Sequence, residues 1–405
     1  MISVDEALAR VLARVPLLEA ESIPLAEAAG RVLRAPARAD RDLPPFNRAA
    51  MDGFALRARD VTEAGGRLPV TADIRAGVWP GRPLGEGEAF RIMTGAPLPV
   101  GADAVIQVEK TRMDGEHVVL DAVPEPGQNF VPRGAEARAG DALLPEGERL
   151  SGAALAVLAS CGVVTPLVSK RPRVALLVTG DEVIDPAHTP EGAQIRNANG
   201  PALAAAIHAA GGIVSDLGIV RDDAEATRAL LSRVFEDGFN AVVLSGGVSA
   251  GDFDFVEPAL LALGAELHVT AVRVKPGAPF VFGTRGDTLI FGLPGNPVSA
   301  QVTFELFARP ALLKAQGARR LNRPFLTARL DGVLRNRSGR RNYLPVAASF
   351  VDGELRARPL RSQGSGDIAA HAHANALVIL EPDRTSAREG ERVPLYPLPS
   401  LLEVS

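Results

Sequence analysis

The chain has 405 residues, 46% of them hydrophobic and 23% charged, and its formal net charge is −4. The length allows roughly two to four domains, and the composition is that of a globular protein. The charge excludes a global basic field for nucleic acid, and the single cysteine, Cys161, excludes an intrachain disulfide or a CxxC zinc site.

In chain order, Val4, Leu8, Val11, Leu12 and Val15 give helical spacing over residues 1 to 22. Asp5 and Glu6 stand where a secretory signal would be basic and then apolar. From residue 24 to about 150, short apolar runs alternate with Gly and Pro, which predicts small strands and loops. The most apolar run, 151–168, is interrupted by Gly152, Ser160, Gly162 and Pro166. It reads as a buried helix followed by a strand, not as a membrane span. The expected location is therefore the cytoplasm, with no membrane or nucleic-acid partner.

The pattern changes at Arg173. Strand-like apolar runs at 174–178, 213–220, 241–244, 267–274, 279–282 and 288–291 alternate with helical patterns at 201–210, 224–235, 256–263 and 297–315. Such alternation predicts a mostly parallel sheet covered on both faces. From Pro324 the chain returns to short alternating runs, the signature of a small all-β barrel or sandwich. The expected fold class is multidomain α/β. A mixed α+β linker region (1–170) precedes a central three-layer α/β/α domain (171–318), and a small β-barrel (322–400) follows.

In an open α/β sheet, ligands bind beyond the carboxyl ends of the strands. Four such ends here carry glycine, acid or both: Thr179-Gly180-Asp181-Glu182, Arg221-Asp222-Asp223, the stretch SGGVSAGDFDF from Ser245 to Phe255, and Pro294-Gly295-Asn296-Pro297. Gly246 and Gly247 let the backbone approach a ligand. Asp252 and Asp254 supply hard oxygens suited to Mg²⁺. The Pro294–Pro297 turn opens a helix whose free N–H groups favour an anion. Lys275, one of four lysines, is a candidate phosphate contact. Taken singly, Asp181, Asp223 and Asp252 read better as helix caps; together at one edge they point to a metal–phosphate site. His371 and His373 form only a weak metal signal, and His208 lies on an apolar helix face. There is no P-loop and no GxGxxG. Gly247-Val-Ser249-Ala-Gly251 does match the GxSxG nucleophile elbow. That leaves a hydrolase open, with Ser249 as nucleophile and His268, His371 or His373 as base.

The segments AMDGFA (50–55), IMTGAP (92–97), TGDE (179–182), RDD (221–223), SGGVSAGDFD (245–254), KPG (275–277) and LPGNPVSA (293–300) together resemble one family. It is molybdopterin molybdenumtransferase, to which the C-terminal region of gephyrin is related. The resemblance implies a C-terminal β-barrel, with adenylylated molybdopterin and molybdate as substrates, Mg²⁺-assisted cleavage of the adenylyl phosphoanhydride, and release of AMP. It implies a homodimer whose site lies between one subunit's α/β domain and the other's N-terminal region. The upstream adenylyltransferase is a candidate delivery partner. Carried over residue by residue, Glu182, Asp222, Asp252 and Asp254 become metal-binding or water-activating groups. Gly246, Gly247, Ser249, Pro294, Asn296 and Pro297 approach phosphate or pterin. Lys275, Arg340 and Ser365 meet the anion, and Asp52 and Thr94 act from the partner subunit. Two departures stand out: Glu136 where the family often has Asp, and Ala278 where many relatives have a basic residue. The related adenylyltransferase needs neither AMDGFA, IMTGAP nor a barrel. A gephyrin-like scaffold role finds no peptide groove in the sequence.

Overall fold

The computed structural model describes residues 1–247 and 256–403. Ser249, Asp252 and Asp254 lie outside these residues.

Helix α1 (Val4–Leu12) opens with Ser3, whose side chain accepts from the N–H of Glu6 at 3.1 Å, an N-cap that satisfies one free donor. The helical spacing expected to residue 22 stops early because Pro16 cannot donate in a helix. Residues Ala20–Ser22 instead pair antiparallel with Leu167–Ser169. The apolar stripe Val4, Ala7 and Val11 packs into the core of the central domain. Residues 53–120 fold into a six-stranded sheet of mixed direction. Helix α2 (Gly152–Ser160) was expected to be buried, yet it buries only Ala154 and Leu158. Ala153, Ala156 and Ala159 are exposed.

The central sheet is built from β1 (Arg173–Thr179), β2 (Ile213–Val220), β3 (Ala241–Ser245), β4 (Glu266–Val269), β5 (Val281–Arg285) and β6 (Thr288–Leu293), in the order β2-β1-β3-β6-β5-β4. The four strands β2, β1, β3 and β6 run parallel, and β5 and β4 are added antiparallel. On one face, Val174, Leu176, Val243 and Phe291 pack against Leu203 and Ile207 of α3 (Asn199–Ala209) and the 297–315 helical segment. On the other, Ala175, Leu177, Val242 and Ile290 pack against α4 (Ala224–Glu236) and α5 (Val256–Ala262). Burial on both faces explains why β3 and β6 read as unbroken apolar runs.

The helix expected over 297–315 is three pieces: α6 (Pro297–Thr303), a π turn at Phe304–Ala308, and α7 (Arg309–Ala315). The strand expected over 267–274 is split. Val274–Lys275 leaves the central sheet and pairs parallel with Arg341–Asn342 of the C-terminal domain. That domain is a closed barrel of five strands, Arg341–Val351, Glu354–Pro359, Leu326–Leu330, Arg392–Pro397 and Ala376–Leu380, the last pairing back to the first. The short helix α8 (Ile368–Ala372) packs near α6. Among the described residues no helix is long and apolar enough to cross a membrane.

Candidate active site

Because β2, β1, β3 and β6 are parallel neighbours, their carboxyl ends share one edge. A cavity of about 880 Å³ lies there, closed on the far side by the barrel. It is within the usual size of a ligand site.

The sheet contributes Thr179, Gly180, Glu182, Asp222, Ser245, Gly246 and Gly247 to its lining, and the turn before α6 contributes Pro294, Asn296 and Pro297. Gly246 has φ +98°, and a Cβ there would lie 2.6 Å from the Thr179 carbonyl oxygen. Only glycine fits where these two strand ends meet. Asp223 caps α4, accepting from the Ala226 N–H at 2.7 Å, so its cap reading holds. Asp222 is different. Burial first, then the like charges of Asp181 and Glu182, push its carboxyl above the ordinary value.

The opposite wall is largely basic, although Asp367 also lies on it and Arg196 lies on the sheet side. Lys275, Arg335 and Arg340 line it, together with Ser365 and the buried Ala278. None of these three cations has a carboxylate partner among the described residues. Arg340 is presented by a turn that Asn336 holds together: its Nδ2 donates to the Arg340 carbonyl at 2.8 Å, and its Oδ1 accepts from the Ser338 hydroxyl at 2.7 Å. Unpaired cations facing a cavity across from carboxylates suit a ligand that is anionic and bridges the two walls.

Sequence reasoning missed several lining groups. Asn199 donates from Nδ2 to Ser245 Oγ and to the Gly295 carbonyl, both at 2.7 Å. It thereby ties the end of β3 to the turn before α6. Its Oδ1, the Thr179 hydroxyl and His371 Nδ1 are buried without a partner among the described residues. No local signal marks Asn199, whose partners are distant in sequence; Thr179 was visible only as part of the TGDE segment and His371 only as a weak metal or base candidate.

Asp52 and Thr94 do not line this cavity. They sit together in the N-terminal region, Asp52 accepting from the backbone N–H and the hydroxyl of Thr94. Glu136 pairs with Arg48 at 2.9 Å. The histidines offered as a weak metal pair diverge: His371 is buried and His373 exposed. His268 pairs with Thr284 at 2.8 Å. The hydrolase nucleophile Ser249 lies outside the described residues.

For a divalent cation, the donors are hard oxygens, and the strained ionisation of Asp222 is what a bound cation would relieve. Glu182 and Asp222 fit as part of a set. Among the described residues no group of three or more metal-ligating side chains is gathered.

An open α/β sheet whose carboxyl edge and roofing barrel enclose a charged cavity places the candidate site where such sheets bind their ligands. Three family descriptions cover the chain: MoeA N-terminal region (domain I and II) at residues 2–162, probable molybdopterin binding domain at 175–314, and MoeA C-terminal region (domain IV) at 327–398. A molybdopterin molybdenumtransferase from a Nostoc species is 35% identical over 94% of this chain and 89% of its own. One from Haemophilus influenzae is 30% identical over 99% of this chain and 100% of its own. A solved molybdopterin biosynthesis MoeA protein from Pyrococcus horikoshii superposes with a TM-score of 0.83 at 27% identity, over 98% of this chain and 100% of that one. The chain belongs to the MoeA family of molybdopterin molybdenumtransferases.

Proposed function

We propose that the chain inserts molybdenum, taken from molybdate, into adenylylated molybdopterin, with cleavage of the adenylyl phosphoanhydride and release of AMP. The observation that carries this reading is a single cavity lined by Glu182 and Asp222 from the sheet edge and by Lys275, Arg335 and Arg340, none of which has a carboxylate partner among the described residues. Full-length likeness to relatives bearing that activity in their names supports it.

Phosphoanhydride cleavage asks a protein for positioning and charge rather than covalent help. The backbone N–H of Gly247 is offered to phosphate oxygens, whereas that of Gly246 is already given to the Leu293 carbonyl at 3.0 Å and that of Val298, which follows Pro297 in α6, to the Ser365 carbonyl at 3.1 Å. Asn296 and Pro297 shape the turn into α6, and Pro294 orients the backbone before it. Lys275, Arg340 and Ser365 hold the oxyanion. Glu182 and Asp222, with Asp252 and Asp254, would hold Mg²⁺, which when bound neutralises charge on the phosphates. Ser249, outside the described residues, is assigned to the phosphates by the family resemblance alone.

The working form proposed is a homodimer in the cytoplasm. Asp52 and Thr94 fall outside the chain's own cavity, so they are assigned to the partner's. The exposed apolar side of α2, with Val164 66% exposed beside it, is the face offered to a second copy. Delivery of substrate by the upstream adenylyltransferase belongs to the same reading.

The test is direct. Purified protein is mixed with adenylylated molybdopterin, molybdate and Mg²⁺, and AMP is measured. AMP release that needs both molybdate and Mg²⁺ is expected. A folded protein that releases none above background defeats the reading.

A further inference from the structure

The histidine at position 371 has no structural reason to be polar. It is 8% exposed, it sits on α8 with its backbone N–H donated to the Asp367 carbonyl, and its side chain makes no hydrogen bond among the described residues. Nδ1 is sealed from solvent without a partner, so it faces protein and not the cavity; Nε2 is not sealed, and it is the ring nitrogen that can reach a ligand. An apolar side chain of similar size would fill the same place without leaving a buried nitrogen unsatisfied. Yet His371 lines the cavity, on the barrel side that also carries Arg340 and Ser365. Its helix packs near α6, and a Cβ on Gly366, in the turn before α8, would come 4.0 Å from Asn296 Oδ1. A polar residue kept in an apolar position at a ligand wall points to the ligand.

We propose that His371 is a specificity-determining contact for the tetrahedral oxyanion, meeting it with a hydrogen bond from Nε2 of an uncharged ring in a wall that also carries two cations and the Ser365 hydroxyl. The inference rests on the reading that molybdate binds among Lys275, Arg340 and Ser365. Those two cations match the charge of a dianion. A third would bind any dianion more tightly without choosing between them. A neutral imidazole at a fixed place adds direction instead, so it favours the oxyanion whose oxygen reaches it. Burial pushes the His371 ring below the usual histidine range, which keeps it uncharged at neutral pH.

The protein has six histidines, few enough to resolve by NMR after ¹⁵N-histidine labelling. Full-length protein is titrated with sodium molybdate, and separately with sodium sulfate, with and without adenylylated molybdopterin. The ring resonances assigned to His371 by their loss in His371→Met are expected to move with molybdate and far less with sulfate. In the AMP-release assay, His371→Met should raise the molybdate KM about tenfold with kcat nearly unchanged, and should make sulfate a better competitor. His371→Gln should recover part of that loss. A His371 ring that does not respond at saturating molybdate overturns the contact. AMP release by that same preparation then shows that the contact failed and the reaction did not. Equal response to sulfate and molybdate overturns the selective role.

Discussion

Thr94 donates twice to one oxygen of Asp52, from its backbone N–H and from its hydroxyl, each at 2.7 Å. The backbone bond first, then the hydroxyl bond, hold the Asp52 carboxyl below the usual range. It is therefore ionised at neutral pH and fixed in direction. Because neither residue lines the chain's own cavity, the pair should act in trans. Asp52→Asn and Lys275→Ala are each expected to lower AMP release by about 100-fold without loss of fold. Mixing and co-refolding the two variants should restore part of the activity, because mixed dimers contain one intact site. No recovery, with mixed dimers demonstrated by mass, would place Asp52 in the same subunit's site or in none.

Gly246 offers a sharper test of the rim. Its φ of +98° and the 2.6 Å approach to the Thr179 carbonyl leave no room for a methyl group. Gly246→Ala should cost about 2–3 kcal/mol through strain alone, read as a lower urea midpoint, and should also abolish ligand binding. A control lies at Gly286, where φ is +56° and a Cβ would meet nothing within 4 Å. Gly286→Ala should cost about 1 kcal/mol and leave AMP release intact. Equal effects at the two sites would contradict the close approach.

Much of this rim could be read from residue order. Strands buried on both faces lose polar alternation, so β1, β3 and β6 stand out as apolar runs, and the glycines and acids after them mark the loops where backbone must turn toward a ligand. What could not be read depends on distance in space. Asn199 looks like a helix start, yet Ala198 is the N-cap and the Asn199 side chain reaches across to Ser245 and Gly295. Lys275 looks like the end of a central strand, but it pairs with the barrel, because a two-residue strand carries no periodicity. The π turn at 304–308 hides inside an unbroken apolar pattern. His371 resembles a loop histidine until the barrel closes over it.

Arg341 joins the barrel to the N-terminus. Its two terminal nitrogens meet the carboxylate of Asp5 at 2.8 and 2.9 Å, and its Nε meets Glu381 at 2.9 Å. The hydrogen bonds from Arg341 hold the Asp5 carboxyl below its ordinary value, with burial opposing. A depressed carboxylate contributes stability above its unfolded pKa of about 3.9 and loses it as pH falls through the folded value. The Asp5 side chain is 73% exposed, so solvent screening limits the pair to about 0.5–1 kcal/mol. Asp5→Asn should therefore melt slightly lower than the parent at pH 7, and the two curves should converge as pH falls below the ordinary carboxylate range. High salt at pH 7 should narrow the gap. A gap that persists at low pH would assign the effect to something other than the ion pair.

Glu305 carries a larger load. In the π turn between α6 and α7, its Oε2 lies 3.0 Å from Arg309 Nε, 3.1 Å from Arg323 Nε and 3.3 Å from the Tyr396 hydroxyl. The side chains of Glu305 and Arg309 are only 14% and 11% exposed. Tyr396 belongs to the barrel strand Arg392–Pro397, and burial, then the Glu305 charge, push its hydroxyl up to about 12, so it remains a donor. The carboxylate thus links central domain, connecting segment and barrel, and so helps to fix the two walls of the cavity. Glu305→Gln keeps the shape and removes the charge, leaving two guanidiniums without a counter-ion. It should destabilise by about 3–5 kcal/mol and raise the substrate KM, because the barrel wall loses its anchor. Replacing the charges together, with Glu305→Gln, Arg309→Met and Arg323→Leu, should recover most of the stability, since no charge is then stranded. It should not recover the KM, because the link to Tyr396 is still weakened. Recovery of both by the triple variant would mean that the network stabilises the fold without setting the cavity.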